Sequence, residues 1–290
     1  MGEIIDGKKV AATVKENIKE FIRSRAIEGK KVPTVASILI GDDGGSIYYQ
    51  NSQFKIAADL GIDYKKINLP SNCTEEEVIN TIKQLNEDKG INGIILLLPL
   101  PDSFDEKKII AAIDPSKDID CLTDVSIGKF YSGNDGFIPC TPRSVMTLLD
   151  YYNIPLEGKK AVVVGRSNVV GKPVAQLLLQ KNATVTICHS KTNNLKGVCN
   201  EADILVVAMG RPNFIDNSYI KKDAVVIDVG TSSLNGKITG DILFDEVVTK
   251  AAMITPVPGG VGSLTTTLLF LNVCEAMEDY DSKDSFGNRS

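Results

Sequence analysis

Short apolar runs alternate with helix-period segments along almost the whole chain, and that alternation leaves few folds open. VASILI (35–40), YKKINL (64–69) and GIILLL (93–98) read as strands, with helices expected at 8–27, 47–60 and 74–88. The third helix opens on Thr74-Glu75-Glu76-Glu77, a capping-box pattern. A second series follows in KAVVV (160–164), ATVTIC (183–188), ILVVA (204–208) and AVVIDV (224–229). Strands separated by helices pair in parallel and are covered on both faces, so an α/β fold is predicted. A helix from about 143 to 152 is expected to bridge two domains, since 290 residues suffice for two cores. The last helix is expected at 263–280, where it could return to the first domain, and the polar tail DSKDSFGNRS (281–290) is expected to fray.

Several function classes are excluded early. A net charge of −5 with no basic block argues against nucleic acid or anionic lipid as a partner. No run approaches the ~20 apolar residues of a membrane span, so no membrane partner is expected. Six cysteines lie far apart with no CxxC pair, the pattern of a reduced, cytoplasmic chain. His189 is the lone histidine, which excludes a multi-histidine metal site and makes a Ser-His-Asp triad a poor reading. No metal is expected.

VVVGRSNVVGKPVAQLLL (162–179) reads as a buried strand, a tight turn and a helix. Gly165 and Gly171 match the outer glycines of a dinucleotide fingerprint, but the middle glycine is missing. Such a turn still aims backbone N–H groups at an anion, although an ordinary βα turn would look the same. The next strand ends in Cys188-His189-Ser190-Lys191-Thr192 and carries no acid for adenosine ribose hydroxyls. Hydroxyls and a cation there, with Arg166 on the first turn, suit a 2′-phosphate, so NADP is preferred over NAD. His189 itself reads as structural.

GRSNVVGKPVA, ATVTICHSKT, ADILVVAMGRPNFI, AVVIDVG and ITPVPGGVG, with PCTP and KDID upstream, resemble the methylenetetrahydrofolate dehydrogenase/cyclohydrolase family from about residue 3 to 278. The resemblance implies two α/β domains with a cleft between them. A folate-binding catalytic domain would span 1–142 plus 264–280, with the C-terminal helix returning to it, and a Rossmann-type NADP domain would span 143–263. It implies that Gly165, Arg166, Ser167, Ser190 and Thr231 contact NADP. It implies that Tyr49, Leu97, Leu98, Asp120, Pro258 and Gly259 surround a reduced folate, and that the protein is a homodimer. The implied reaction moves a hydride from the folate methylene bridge to the nicotinamide. Water then opens the methenyl cation to 10-formyltetrahydrofolate.

The folate half departs from the family pattern where protons move. The catalytic positions fall on Tyr49, Gln53 and Asp120, and a glutamine stands where the family carries its lysine. Tyr49 and Gln53 lie about 40° apart around a helix, whereas Lys55 lies about 120° from Tyr49 and cannot substitute directly. The family glutamine that bonds the lysine is Leu97 here, and Cys121 replaces the glycine after KDID. Serine and leucine follow PGGVG at 263 and 264, and Thr231-Ser232-Ser233 follow DVG. A glutamine amide cannot exchange protons near neutral pH, so the predicted function is an NADP-dependent dehydrogenase with a weak or lost cyclohydrolase step. A fully bifunctional enzyme, an oxidoreductase retuned to another substrate, and a non-catalytic folate or nucleotide binder are the alternatives. For Tyr49 the competing role is an aromatic on a helix face, and for Asp120 a turn-capping carboxylate.

Overall fold

The computed structural model describes residues 1–234 and 236–287. It divides into two compact units, each discontinuous in sequence. One holds Val14–Ile138 with the stretch from Thr266 onward; the other holds Met1–Thr13 with Pro139–Thr265.

The elements of the N-terminal half are β1 (Glu3–Ile4), α1 (Gly7–Ile27), β2 (Thr34–Ile40), α2 (Gly44–Leu60), β3 (Asp63–Leu69) and α3 (Glu75–Glu87). β4 (Gly93–Leu96), α4 (Glu106–Ile110) and α5 (Asp124–Ser132) complete it. In the first unit β3, β2 and β4 form a parallel sheet in the order β3-β2-β4. Every residue of central β2 is buried, as a strand covered on both faces requires. Ala36, Ile38 and Ile40 of β2 pack with Ile94 and Leu96 of β4 and with Val78, Ile82 and Leu85 of α3. The expected capping box is present: Glu77 N donates to Thr74 Oγ1 at 3.2 Å and Thr74 N to Glu77 Oε2 at 2.7 Å. α2 opens on Asp43, which accepts from Ser46 N at 2.7 Å, and closes on Gly61 at φ 79°.

The second unit begins with α6 (Cys140–Tyr151), β5 (Lys160–Val164), α7 (Gly171–Gln180), β6 (Thr184–Cys188), α8 (Leu195–Cys199), β7 (Ile204–Val207) and β8 (Val225–Asp228). Then come a small antiparallel hairpin, β9 (Ser232–Leu234) with β10 (Lys237–Thr239), followed by α9 (Phe244–Val247) and β11 (Met253–Ile254). Its parallel sheet has the order β1-β11-β8-β7-β5-β6. β5 is flanked by β6 on one side and β7 on the other, so the chain reverses its direction of travel across the sheet there. α10 (Thr265–Gly287) ends the described chain, and most of it groups with the first unit. Within that unit Asn272 Nδ2 donates to the Ile119 carbonyl at 2.7 Å.

Differences from the sequence reading have local causes. GIILLL stops as a strand at Leu96 because Pro99 and Pro101 have no N–H to continue a ladder. The helix expected at 143–152 starts at Cys140, since Pro142 is tolerated in a first turn. The last helix starts at Thr265 and runs to Gly287, into the tail expected to fray; residues 288–290 lie outside the described residues. The first domain was expected to begin at residue 1, yet Met1–Thr13 groups with the six-stranded unit. β1 is the reason: Glu3 N and Ile5 N donate to Ala252 O and Ile254 O, each at 2.8 Å, and extend that sheet. The boundary expected after 142 falls between Ile138 and Pro139.

Candidate active site

In the first unit the buried face of α2 is polar where a core helix would be apolar. Ser46, Gln50, Gln53, Ala57 and Leu60 recur at three- and four-residue spacing and are buried. Gln53 is 1% exposed, and its Oε1 accepts from the Tyr64 hydroxyl of β3 at 2.7 Å. Burial raises the Tyr64 pKa, with the Ser37 hydroxyl pulling the other way and Tyr49 adding to the rise. Tyr49 sits at the rim, 41% exposed, while Lys55 is on the exposed side. Leu97, just past β4, is buried with its N–H on Ile38 O at 3.0 Å, and Leu98 beside it is partly exposed.

Asp120 is half-buried in the loop between α4 and α5. The capping of this turn is carried by Asp118, whose carboxylate accepts from Leu122 N at 2.9 Å and Thr123 N at 2.8 Å. Lys117 is structural: its Nζ donates to the carbonyls of Leu85, Asn86 and Asp88, and burial lowers its pKa. Cys121 occupies the left-handed region at φ 57°, which favours the glycine of the family pattern. Burial, helped by Asp118 and Asp120, pushes its thiol up to about 12, so it is not a nucleophile at neutral pH.

The second unit holds the other group. Gly165 has φ 138°, and a Cβ there would collide with the Ala208 carbonyl at the end of β7. A Cβ on Gly171 would collide with the Gly165 carbonyl. The two glycines thus seat the start of α7 against the β5 turn, at the point where the sheet reverses its strand order. This is where α/β sheets bind nucleotides. Ser167 Oγ accepts from Val170 N at 3.1 Å and Gly171 N at 3.3 Å, so it closes the turn at the helix entrance. Arg166 and Ser190 each lie two residues past the paired ends Val164 and Cys188, and both are exposed. Thr231 is exposed beyond β8. His189 is part of a closed loop: its N–H donates to Thr192 Oγ1 at 2.8 Å and its Nδ1 accepts from Lys191 N at 3.1 Å. Pro258 and Gly259 lie in this unit, where Gly259 O accepts from Gly7 N at 2.9 Å.

Two matches then cover most of the chain. Residues 5–120 match the family described as tetrahydrofolate dehydrogenase/cyclohydrolase, catalytic domain, and residues 139–281 match its NAD(P)-binding domain. The chain belongs to the tetrahydrofolate dehydrogenase/cyclohydrolase family. A relative from Clostridium beijerinckii named bifunctional protein FolD is 62% identical over 279 residues, covering 96% of this chain and 99% of that one. The bifunctional FolD structure from Campylobacter jejuni superposes with a TM-score of 0.93 at 39% identity, covering 97% of this chain and all of that one. The Trypanosoma brucei enzyme, solved with NADP cofactor and an inhibitor, gives 0.89 at 34% identity over 96% and 98% of the two chains. The catalytic-domain match contains Tyr49, Gln53, Leu97, Leu98 and Asp120. The NAD(P)-binding match contains Gly165, Arg166, Ser167, Ser190, Thr231, Pro258 and Gly259.

Sequence reasoning missed four buried polar residues of these family domains, Ser37, Gln50, Asp228 and Asp241, and the half-buried Tyr64. Tyr64 bonds Gln53, and Gln50 bonds Ser37. Asp228 and Asp241 organise the loops past β7 and β8: Asp241 accepts from Met209, Gly210 and Arg211 N–H groups, and Asp228 from Gly230, Asp241 and Ile242. The spacing of Ser46, Gln50 and Gln53 was the available signal for the first group.

Proposed function

We propose that the chain oxidises 5,10-methylenetetrahydrofolate with NADP to 5,10-methenyltetrahydrofolate and NADPH, and that the hydrolytic step to 10-formyltetrahydrofolate is weak or lost. One observation carries this reading: a buried amide, Gln53, held by the Tyr64 hydroxyl at 2.7 Å, stands where the family pattern has its lysine. Leu97 is apolar and buried where the lysine's partner glutamine is expected, so both halves of the proton-handling pair are missing together.

The second unit suits NADP by two features. Gly165 and Gly171 let the α7 entrance close on the β5 turn, which aims its N–H groups where a pyrophosphate would lie, and Arg166 with Ser190 offers a guanidinium and a hydroxyl with no competing acid. Bound NADP supplies the hydride acceptor. The residues of this chain supply alignment: in this reading Tyr49, Leu98 and Asp120 of the first unit hold the reduced folate. Hydride departure is driven by a folate nitrogen lone pair and leaves a delocalised cation, so it needs positioning more than an acid or base. Opening of that cation by water needs proton transfers, which an amide cannot make. A homodimer and a cytoplasmic setting go with the reading, and the mostly buried cysteines, none in a disulfide among the described residues, suit a reducing compartment.

A fully bifunctional enzyme is the second reading, favoured by the names of the Clostridium relatives. Steady-state assays decide between them. Methylenetetrahydrofolate with NADP is expected to give NADPH absorbance, while methenyl hydrolysis stays near its spontaneous rate. The deficit expected is the ~10²–10⁴-fold that a positioned acid or base contributes. Gln53→Lys with Leu97→Gln should restore measurable hydrolysis, and Gln53→Lys alone should restore less. Rapid hydrolysis by the unmodified protein, abolished by Lys55→Ala, would overturn the assignment.

A further inference from the structure

The polar groups at Gln53 and behind it form two hydrogen-bonded pairs, Gln50 with Ser37 and Tyr64 with Gln53. Gln50, 2% exposed, reaches the Ser37 carbonyl and the Ser37 hydroxyl with its Nε2, each at 3.3 Å. A backbone carbonyl only accepts, so this contact fixes which end of the Gln50 amide faces Ser37. Ser37 Oγ accepts there and keeps its own proton for another partner. Val35 pairs with Tyr64 and Ser37 with Lys66 on adjacent parallel strands, so the Ser37 and Tyr64 side chains project from the same face of the sheet. Tyr64 gives its own proton to Gln53 Oε1 at 2.7 Å. Its ring is braced edge-on by Phe54 at 6.0 Å and Phe270 at 6.3 Å between centroids, which limits rotation of the phenol away from that bond.

The end of the chain is Gln53 Nε2. With Oε1 engaged by Tyr64, the two N–H bonds of the amide point the other way. Among the described residues the Tyr64 bond is the side-chain hydrogen bond that Gln53 makes, which leaves Nε2 for a ligand.

We propose that Ser37 Oγ donates to the Tyr64 hydroxyl and so joins the two pairs into a one-way chain from Gln50 to Gln53, which locks the Gln53 amide with its NH2 group toward the substrate and makes it a fixed donor to an acceptor oxygen or nitrogen of the reduced folate. The proposal rests on the reading that Gln53 faces folate. Tyr64 is a positioning residue in it, and Gln53 selects substrates that present a lone pair at that point. A lysine there would donate too, but would also carry charge and exchange protons. The locked amide keeps the recognition and omits the proton transfer.

The test combines binding, kinetics and amide spectroscopy on the full chain. Gln53→Glu keeps an acceptor for Tyr64 but has no N–H, and should raise the folate KM about tenfold or more with the NADP KM unchanged. Tyr64→Phe should raise the folate KM less, by a few-fold, because the freed amide still samples the donor orientation. In side-chain ¹H–¹⁵N spectra, Gln53 should give two well-separated NH2 signals, which move together toward free-amide values in Tyr64→Phe and in Ser37→Ala. Either variant leaving those signals unmoved would overturn the chain, and Gln53→Glu with unmodified folate KM would overturn the donor role. A protein that turns over no folate at all would instead count against the functional reading, while the spectra still decide the order of the chain.

Discussion

Arg166 and Ser190 stand at the same height beyond two adjacent strands, and under the proposed function their chemistry sets which dinucleotide the second unit prefers. A guanidinium and a hydroxyl bind a 2′-phosphate by charge-assisted bonds, and a ribose hydroxyl offers them nothing comparable. NADP should therefore bind at least tenfold tighter than NAD, about 1.4 kcal/mol or more. Arg166→Ala with Ser190→Ala should bring the two within a few-fold; calorimetric titration measures both, and equal affinities in the unmodified protein would sink the assignment. The positions of these two residues past the strand ends were legible, because the apolar runs mark those ends. Ser37 and Tyr64 were not, since both lie inside strands where a hydrophobic pattern is silent about a single hydroxyl. Cys121 was legible as a departure from a glycine, but its positive φ was not, because nothing in the composition of KDIDC sets a backbone angle.

Among elements, the β5 turn and α7 show where a side chain is forbidden. Gly165→Ala would drive a methyl into the Ala208 carbonyl at a φ of 138° that L-residues avoid. It should destabilise by about 2 kcal/mol or more and remove the stabilisation that NADP gives in thermal unfolding. Gly128 is the contrast, inside α5 with nothing within 4 Å of a built Cβ and no positive φ. Gly128→Ala should stabilise by roughly 0.5–1 kcal/mol, because the unfolded chain loses freedom and the helix gains a better former. Opposite signs in urea unfolding check both. Long elements were readable from their periods and caps, as the capping box at Thr74 and the seven buried residues of β2 show. β1 and β11 were not, because two residues carry no period and their pairing is defined by a partner far away.

At the scale of the whole molecule, Asp228 links stability to pH. It is 3% exposed, and burial pushes its carboxyl up to about 7, with Asp241 adding to the rise and the N–H donors of Asp241, Ile242 and Gly230 opposing it. A folded-state pKa above the unfolded value near 4 means that the protonated form favours folding. That contribution is complete below about pH 4, declines as pH rises, and is gone above about pH 7. On the order of 4 kcal/mol is at stake at this site, and urea unfolding between pH 4 and 8 should show the decline. Asp228→Asn should flatten it while lowering stability overall, because an amide nitrogen would face an N–H donor. The two-domain plan itself was legible from the two strand series, whereas the assignment of Met1–Thr13 to the second unit depends on β1 alone. That same strand has a bearing on how the chain is born. Glu3 pairs with Met253, and the unit that starts at Val14 is completed by residues from Thr266 onward. A ribosome delivers Glu3 some 250 residues before its partner, so the emerging segment must stay unpaired for most of the time of translation. The unit that holds Glu3 waits for the stretch up to Thr265 to leave the exit tunnel, and the other waits for the residues from Thr266 onward.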